Sequence, residues 1–202
     1  DSSLDGLYQE ESGVLSYLAG TNYTLNVSHI GTQIATGTAV MPSVPVFKNL
    51  TGLSPHPLNQ NMVVTWEDVE NATSLELSLS GDVYDPVLQS EIERDFNSGL
   101  ISASSNSFTI PDTFFTHAGE YTLGMTAYHG INPGSEAYNA DDYLKSYNMK
   151  GAAGLFIVVN LSSEDGEAIT VGNPGKIAAK SKDRPKYKDM VEKRLKRFFK
   201  KD

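Results

Sequence analysis

The sequence predicts an all-β protein made of two β-sandwich modules, the first incomplete, followed by a C-terminal amphipathic α-helix. Three observations carry that expectation. Apolar residues alternate with polar ones at the period of a half-buried strand, as in Tyr23, Leu25 and Val27 or Leu75, Leu77 and Leu79. Gly, Pro, Asn and Asp punctuate those segments at short intervals. Only beyond residue 176 does the spacing become helical, in a segment dense in Lys and Arg.

The first module, residues 1–42, is expected to hold an early strand around Leu15, Tyr17 and Leu18, then the strand centred on Tyr23 to Val27. His29-Ile30-Gly31 supplies a turn and Thr32 to Met41 a hairpin partner. So few strands leave an open edge that needs covering. Pro42-Ser43-Val44-Pro45 marks a boundary, because proline withholds a donor from any central sheet.

The second module, residues 43–175, opens at Val44 to Phe47 and is loop-like from Leu53 to Asn61. Met62 to Glu67 reads as a core strand carrying Trp66, the single tryptophan. In the next strand Leu75, Leu77 and Leu79 face inward, and Gly81-Asp82 is expected to end it. Between Tyr84 and Gly99 the near-helical spacing of Val87, Leu88, Ile92 and Phe96 predicts a short helix or an irregular crossover. Strands follow at Ser107 to Pro111, Gly119 to Tyr128, Leu155 to Leu161 and Glu167 to Val171, with a long connection over 129–150.

Several classes of chemistry find no footing. With no cysteine among 202 residues, a disulfide framework, a thiolate metal site and a cysteine nucleophile are all excluded. No apolar run is long enough to span a bilayer as a helix. The chain opens on Asp1-Ser2-Ser3-Leu4-Asp5 without the apolar core of a signal peptide, so any targeting segment is expected to have been removed or to lie outside this sequence. His29, His56, His117 and His129 are far apart and follow no metal-ligand spacing. Neither a Gly-x-Ser-x-Gly motif nor a phosphate-binding loop occurs, and no cofactor is implied. The acidic pairs Glu10-Glu11, Asp141-Asp142 and Glu164-Asp165 do not follow calcium-loop spacing and read as solvated loops. Five Asn-x-Ser/Thr triplets begin at Asn22, Asn26, Asn49, Asn71 and Asn160, three of them on expected strands.

Charge divides the chain. The net charge of −9 is the sum of a body up to residue 175 with 4 basic and 21 acidic residues, net −17, and a tail with 12 basic and 4 acidic residues, net +8. Such a body repels nucleic acid and anionic surfaces, whereas the tail attracts them.

Val63-Val64-Thr65-Trp66, the alternating strand after Glu70-Asn71-Ala72, and Ser107-Phe108-Thr109-Ile110-Pro111 together carry a family resemblance. Over residues 44–171 the second module resembles a fibronectin type III-like, immunoglobulin-like domain of the kind found in bacterial cell-surface proteins and lipoproteins. The resemblance implies that Gly119-Glu120-Tyr121-Thr122-Leu123 is a tyrosine corner, with the phenol bonded back to the main chain. It implies an extracellular or cell-envelope setting, with a bacterial surface favoured. The first module is similar in rhythm to lipoprotein sandwich domains of Bacteroidetes. The connection at 129–150 and the stretch 82–106 are both longer than the family's usual links.

Two candidate binding sites stand out. Tyr128, Tyr138, Tyr143 and Tyr147 cluster in and beside the long connection, where tyrosines on a loop offer contact area to a protein or a glycan, or simply anchor the loop. In the tail, residues 176–202, Asp183 is a candidate cap, Arg184-Pro185 a helix start, and Met190, Val191, Leu195, Phe198 and Phe199 recur along one face. A helix this short needs a surface to dock on. The candidates are a partner protein's groove, favoured by the paired phenylalanines, then the acidic body of the chain itself, an anionic membrane surface and, least of all, nucleic acid. The abrupt change in composition is equally what a segment appended to the body would produce.

The expected function is therefore a noncatalytic protein-interaction or assembly module, such as an accessory subunit of a surface complex, acting through the helix and sheet edges. A carbohydrate-binding module using Trp66 or the loop tyrosines is the alternative from another class. A structural protein that self-assembles through an open β edge is the third.

Overall fold

The computed structural model describes residues 18–85, 87–133, 149–150, 157–173 and 186–198, with helix side chains described as far as Lys193. The chain is all-β, with antiparallel sheets in a β-sandwich-like arrangement. Its strands are β1 (Asn22–His29), β2 (Thr32–Val40), β3 (Met62–Thr65), β4 (Ser74–Asp85), β5 (Ser90–Ser102), β6 (Ser107–Ile110), β7 (Gly119–His129), β8 (Met149–Lys150), β9 (Val158–Leu161) and β10 (Glu167–Val171). One turn of helix, α1 (Leu50–Leu53), and a 3-10 turn at Asp112–Phe114 lie between strands, and α2 (Tyr187–Phe198) closes the described chain.

The expected hairpin at Ile30-Gly31 forms β1 and β2, with both turn residues at positive φ as a two-residue turn requires. β2 then pairs on its other side with β8, so this three-stranded sheet draws a strand from beyond Pro42.

The main sheet runs β10-β7-β4-β5, and β9 joins β7 on the same side as β10. Leu75, Leu77, Leu79 and Val83 of β4, Tyr121, Leu123 and Met125 of β7, and Ile169 and Val171 of β10 point into one core. The β3-β6 pair brings Met62, Val64, Trp66 and Ile110 into the same core. Hydrophobic burial of this kind is the main stabilising term, worth about 1.5–3 kcal/mol per large side chain. Tyr121 donates its hydroxyl to the carbonyl of His117 four residues upstream, at 3.3 Å, a back-bond of the kind the resemblance implies.

One segment differs from expectation. Among the described residues of 84–99 there is no helix: 84–85 end β4, 87–89 are turn and 90–99 begin β5 of the long β4-β5 hairpin. Ile92 and Phe96 face inward with Arg94 between them, and Arg94 sends its Nη2 to the Phe114 carbonyl at 2.9 Å while lying 5.3 Å from the Phe114 ring centre. A cation at an inward position hides the two-residue period. Val87 and Leu88 are exposed turn residues whose N–H groups both bond Asp85 Oδ1, at 2.7 and 3.1 Å. Nor does Gly81-Asp82 end β4. Gly81 lies against the Tyr121 ring, where a Cβ would stand 2.7 Å from Cδ1, so glycine keeps the strand going under a large neighbour.

Candidate interaction site at the C-terminal helix

β9 and β10 are successive stretches of chain laid along one side of β7, and residues 162–166 loop out between them opposite Gly124 and Met125. Ser162 fastens the loop to Met125 by two bonds, N–H to carbonyl at 2.9 Å and N–H to Oγ at 3.1 Å. The outer face of the sheet here is made of small residues, Ser78 on β4 with Gly124 and Thr126 on β7. Their size leaves a shallow slot.

The first turn of α2 fills that slot. The Lys188 N–H bonds the Glu164 carbonyl at 2.9 Å, which fixes the helix entry to the 162–166 loop. Tyr187 is fully buried, with its ring flat on Gly124, and a Cβ on residue 124 would overlap the ring carbons. Its hydroxyl pairs with Thr126 Oγ1 at 2.9 Å. Val191, one turn on, is buried as well. At the rim Lys186 meets Asp165 at 2.9 Å and Lys188 meets Glu164 at 3.6 Å, both in solvent and hence weakly stabilising.

Polar groups continue beneath the helix. Glu76 on β4 is buried, accepts from Asn97 Nδ2 at 2.7 Å and lies 3.4 Å from the Tyr128 hydroxyl. Asn97 also reaches Ser78 Oγ at 3.2 Å. Burial pushes the phenols of Tyr187 and Tyr128 well above the ordinary tyrosine range, the bond to Thr126 offsetting only part of the effect. Both phenols are therefore neutral at physiological pH.

No family model, curated protein or solved structure matches the chain.

The expected site residues separate into three groups. Tyr128 is not an exposed loop residue: it lies within β7, one residue from its end, is 2 % exposed, and packs with Leu100 and Ile131 in a second core on the outer side of the sheet. It stands there because the strand's outer face is itself covered. Tyr138, Tyr143 and Tyr147 lie outside the described residues. In the helix, Val191 is spent on the chain's own sheet and Met190 is half-buried. Leu195 and Phe198 have helical backbone with side chains outside the described set, which also excludes Phe199.

Trp66 is fully buried and donates Nε1–H to the Ser105 carbonyl at 2.9 Å, so it offers no stacking face to a sugar. His56 packs on Phe115, His117 faces Asp85 at 3.5 Å, and His129 Nδ1 lies 2.7 Å from the Asn71 carbonyl. Among the described residues no three His, Asp or Glu side chains are grouped to hold a metal. The side chains of Asn49 and Asn160 bond main-chain groups.

Tyr187 is the residue that sequence reasoning missed. Its partner left a signal, for Gly124 interrupts the strongest alternating strand of the chain, and a glycine inside a strand marks a close approach by another group.

Proposed function

We propose that this protein is a noncatalytic interaction and assembly module of the extracellular space or cell envelope, built on a fibronectin type III-like sandwich, and that its C-terminal helix is the interaction device. One observation carries the reading: the chain contains a matched plug and socket, the Tyr187 ring and the Gly124 slot, with a directional bond to Thr126 at its end. An appended tag has no such counterpart cut into the body. Tyr and small-residue slots are typical of recognition, since a rigid ring loses little entropy on docking. The back-bond of Tyr121 and the buried Trp66 support the fibronectin type III-like part of the proposal. The acidic body disfavours nucleic acid as a partner.

Light scattering of the full chain and of a chain ending at residue 175, at low and high salt, tests the proposal. Assembly that is lost on truncation supports it. A full chain that is monomeric throughout, with the truncated chain indistinguishable from it, overturns it.

A further inference from the structure

We infer that the seat for α2 is exchangeable between copies: in the assembled state the C-terminal helix of one chain docks its Tyr187 on Gly124 of another. The inference deepens the interaction reading above and rests on it, and it names the partner as a second copy of this chain.

The seat is complete without the helix. Ser78, Gly124 and Thr126 are held by β4 and β7, and the 162–166 loop by its two bonds to Met125. What the tail adds among the described residues is Tyr187, Val191 and the two lysines at the rim. No seat residue needs the helix to be covalently its own.

Reach is sufficient. Twelve residues separate Asn173 from Lys186. Fully extended, they span on the order of 40 Å, comparable with the diameter of a domain of this size. A twelve-residue helix is marginal by itself, so an undocked α2 gains its fold only by finding a seat, whichever copy provides it.

Electrostatics then selects the pairing. Bodies at net −17 repel one another, as do tails at +8, so between two copies only tail-to-body contact is attractive. The Lys186–Asp165 and Lys188–Glu164 pairs are that attraction at close range. Exchange of a helix between protomers adds no new interface and so costs little beyond association. Its contact is head-to-tail, able to close into a swapped dimer or to continue.

The absence of cysteine makes the test clean. Two full-length variants are prepared, Asp165→Cys and Lys186→Cys, both at exposed positions that are neighbours within one docked unit. They are mixed after brief mild denaturation and treated with a short bifunctional thiol reagent. Exchange predicts covalent heterodimers several-fold above either homodimer, rising with protein concentration, falling with salt, and lost when Gly124→Ala is added to the Asp165→Cys copy. Circular dichroism of each variant confirms that the sheet is intact. Heterodimers no more abundant than homodimers overturn the inference. If the full chain nevertheless assembles through residues 176–202, exchange alone is refuted and the interaction reading stands.

Discussion

Gly124 and Tyr187 occupy one space: the hydrogen of the glycine is all that separates the β7 backbone from the phenol ring. Gly124→Ala therefore expels the ring or lifts the helix. The expected cost is about 1–3 kcal/mol, the range for overpacking a fitted site. Hydrogen exchange should show lost protection over residues 187–193 with the β4-β7 core unchanged. Adding Tyr187→Ala should make the alanine at 124 nearly silent, because the two changes remove the same contact.

The Tyr187 hydroxyl and Thr126 Oγ1 are 2.9 Å apart with no exposure to water. Tyr187→Phe and Thr126→Val should each destabilise by about 1 kcal/mol. The double variant should cost less than their sum, since both single changes remove the same shared bond. Chemical denaturation of the four proteins measures the coupling.

Alkaline pH should undock the helix. The phenols of Tyr187 and Tyr128 are raised above their ordinary value of 10.0 by burial, so the folded state holds their protons more tightly than the unfolded chain. Their stabilisation is complete below pH 10.0 and falls as pH rises beyond it, by up to about 1.4 kcal/mol per pH unit for each group. A Tyr187→Phe chain should show a shallower decline. Tyrosinate absorbance followed against pH, alongside the helical signal, checks the sign.

Trp66 should behave as a core residue. Its fluorescence should be that of an indole shielded from water and should not change on adding oligosaccharides. Trp66→Ala should cost about 3–5 kcal/mol, part of it from the Ser105 carbonyl left without its donor.

At the β4-β5 turn, Asp85 should titrate below its ordinary 3.8, because the N–H groups of Leu88 and Val87 favour the carboxylate, with His117 adding to the effect. The turn is then best ordered above pH 3.8 and loosens as pH falls through the lowered value. Asp85→Ala should speed amide exchange at Val87 and Leu88 at neutral pH, as acid does in the parent chain.

The sequence by itself determined the class of this protein and most of its strands, because inward-facing leucines and tyrosines repeat every second residue wherever one face of a strand meets the core. It also determined the helix, through the spacing of Met190, Val191 and Leu195. Only tertiary structure decided what lies opposite what. Residues 90–99 are strand because β4 offers them a pairing edge, despite a cation at position 94 that blurs the pattern. Tyr128 is buried because the outer face of β7 is covered by a second apolar cluster. The seat of α2 joins Ser78, Gly124, Thr126 and the 162–166 loop, which are distant in sequence and meet only once β4, β7, β9 and β10 have paired. Periodicity reports which face of an element is apolar, whereas strand pairing and the docking of α2 on the paired strands bring a glycine and a tyrosine 63 residues apart into contact.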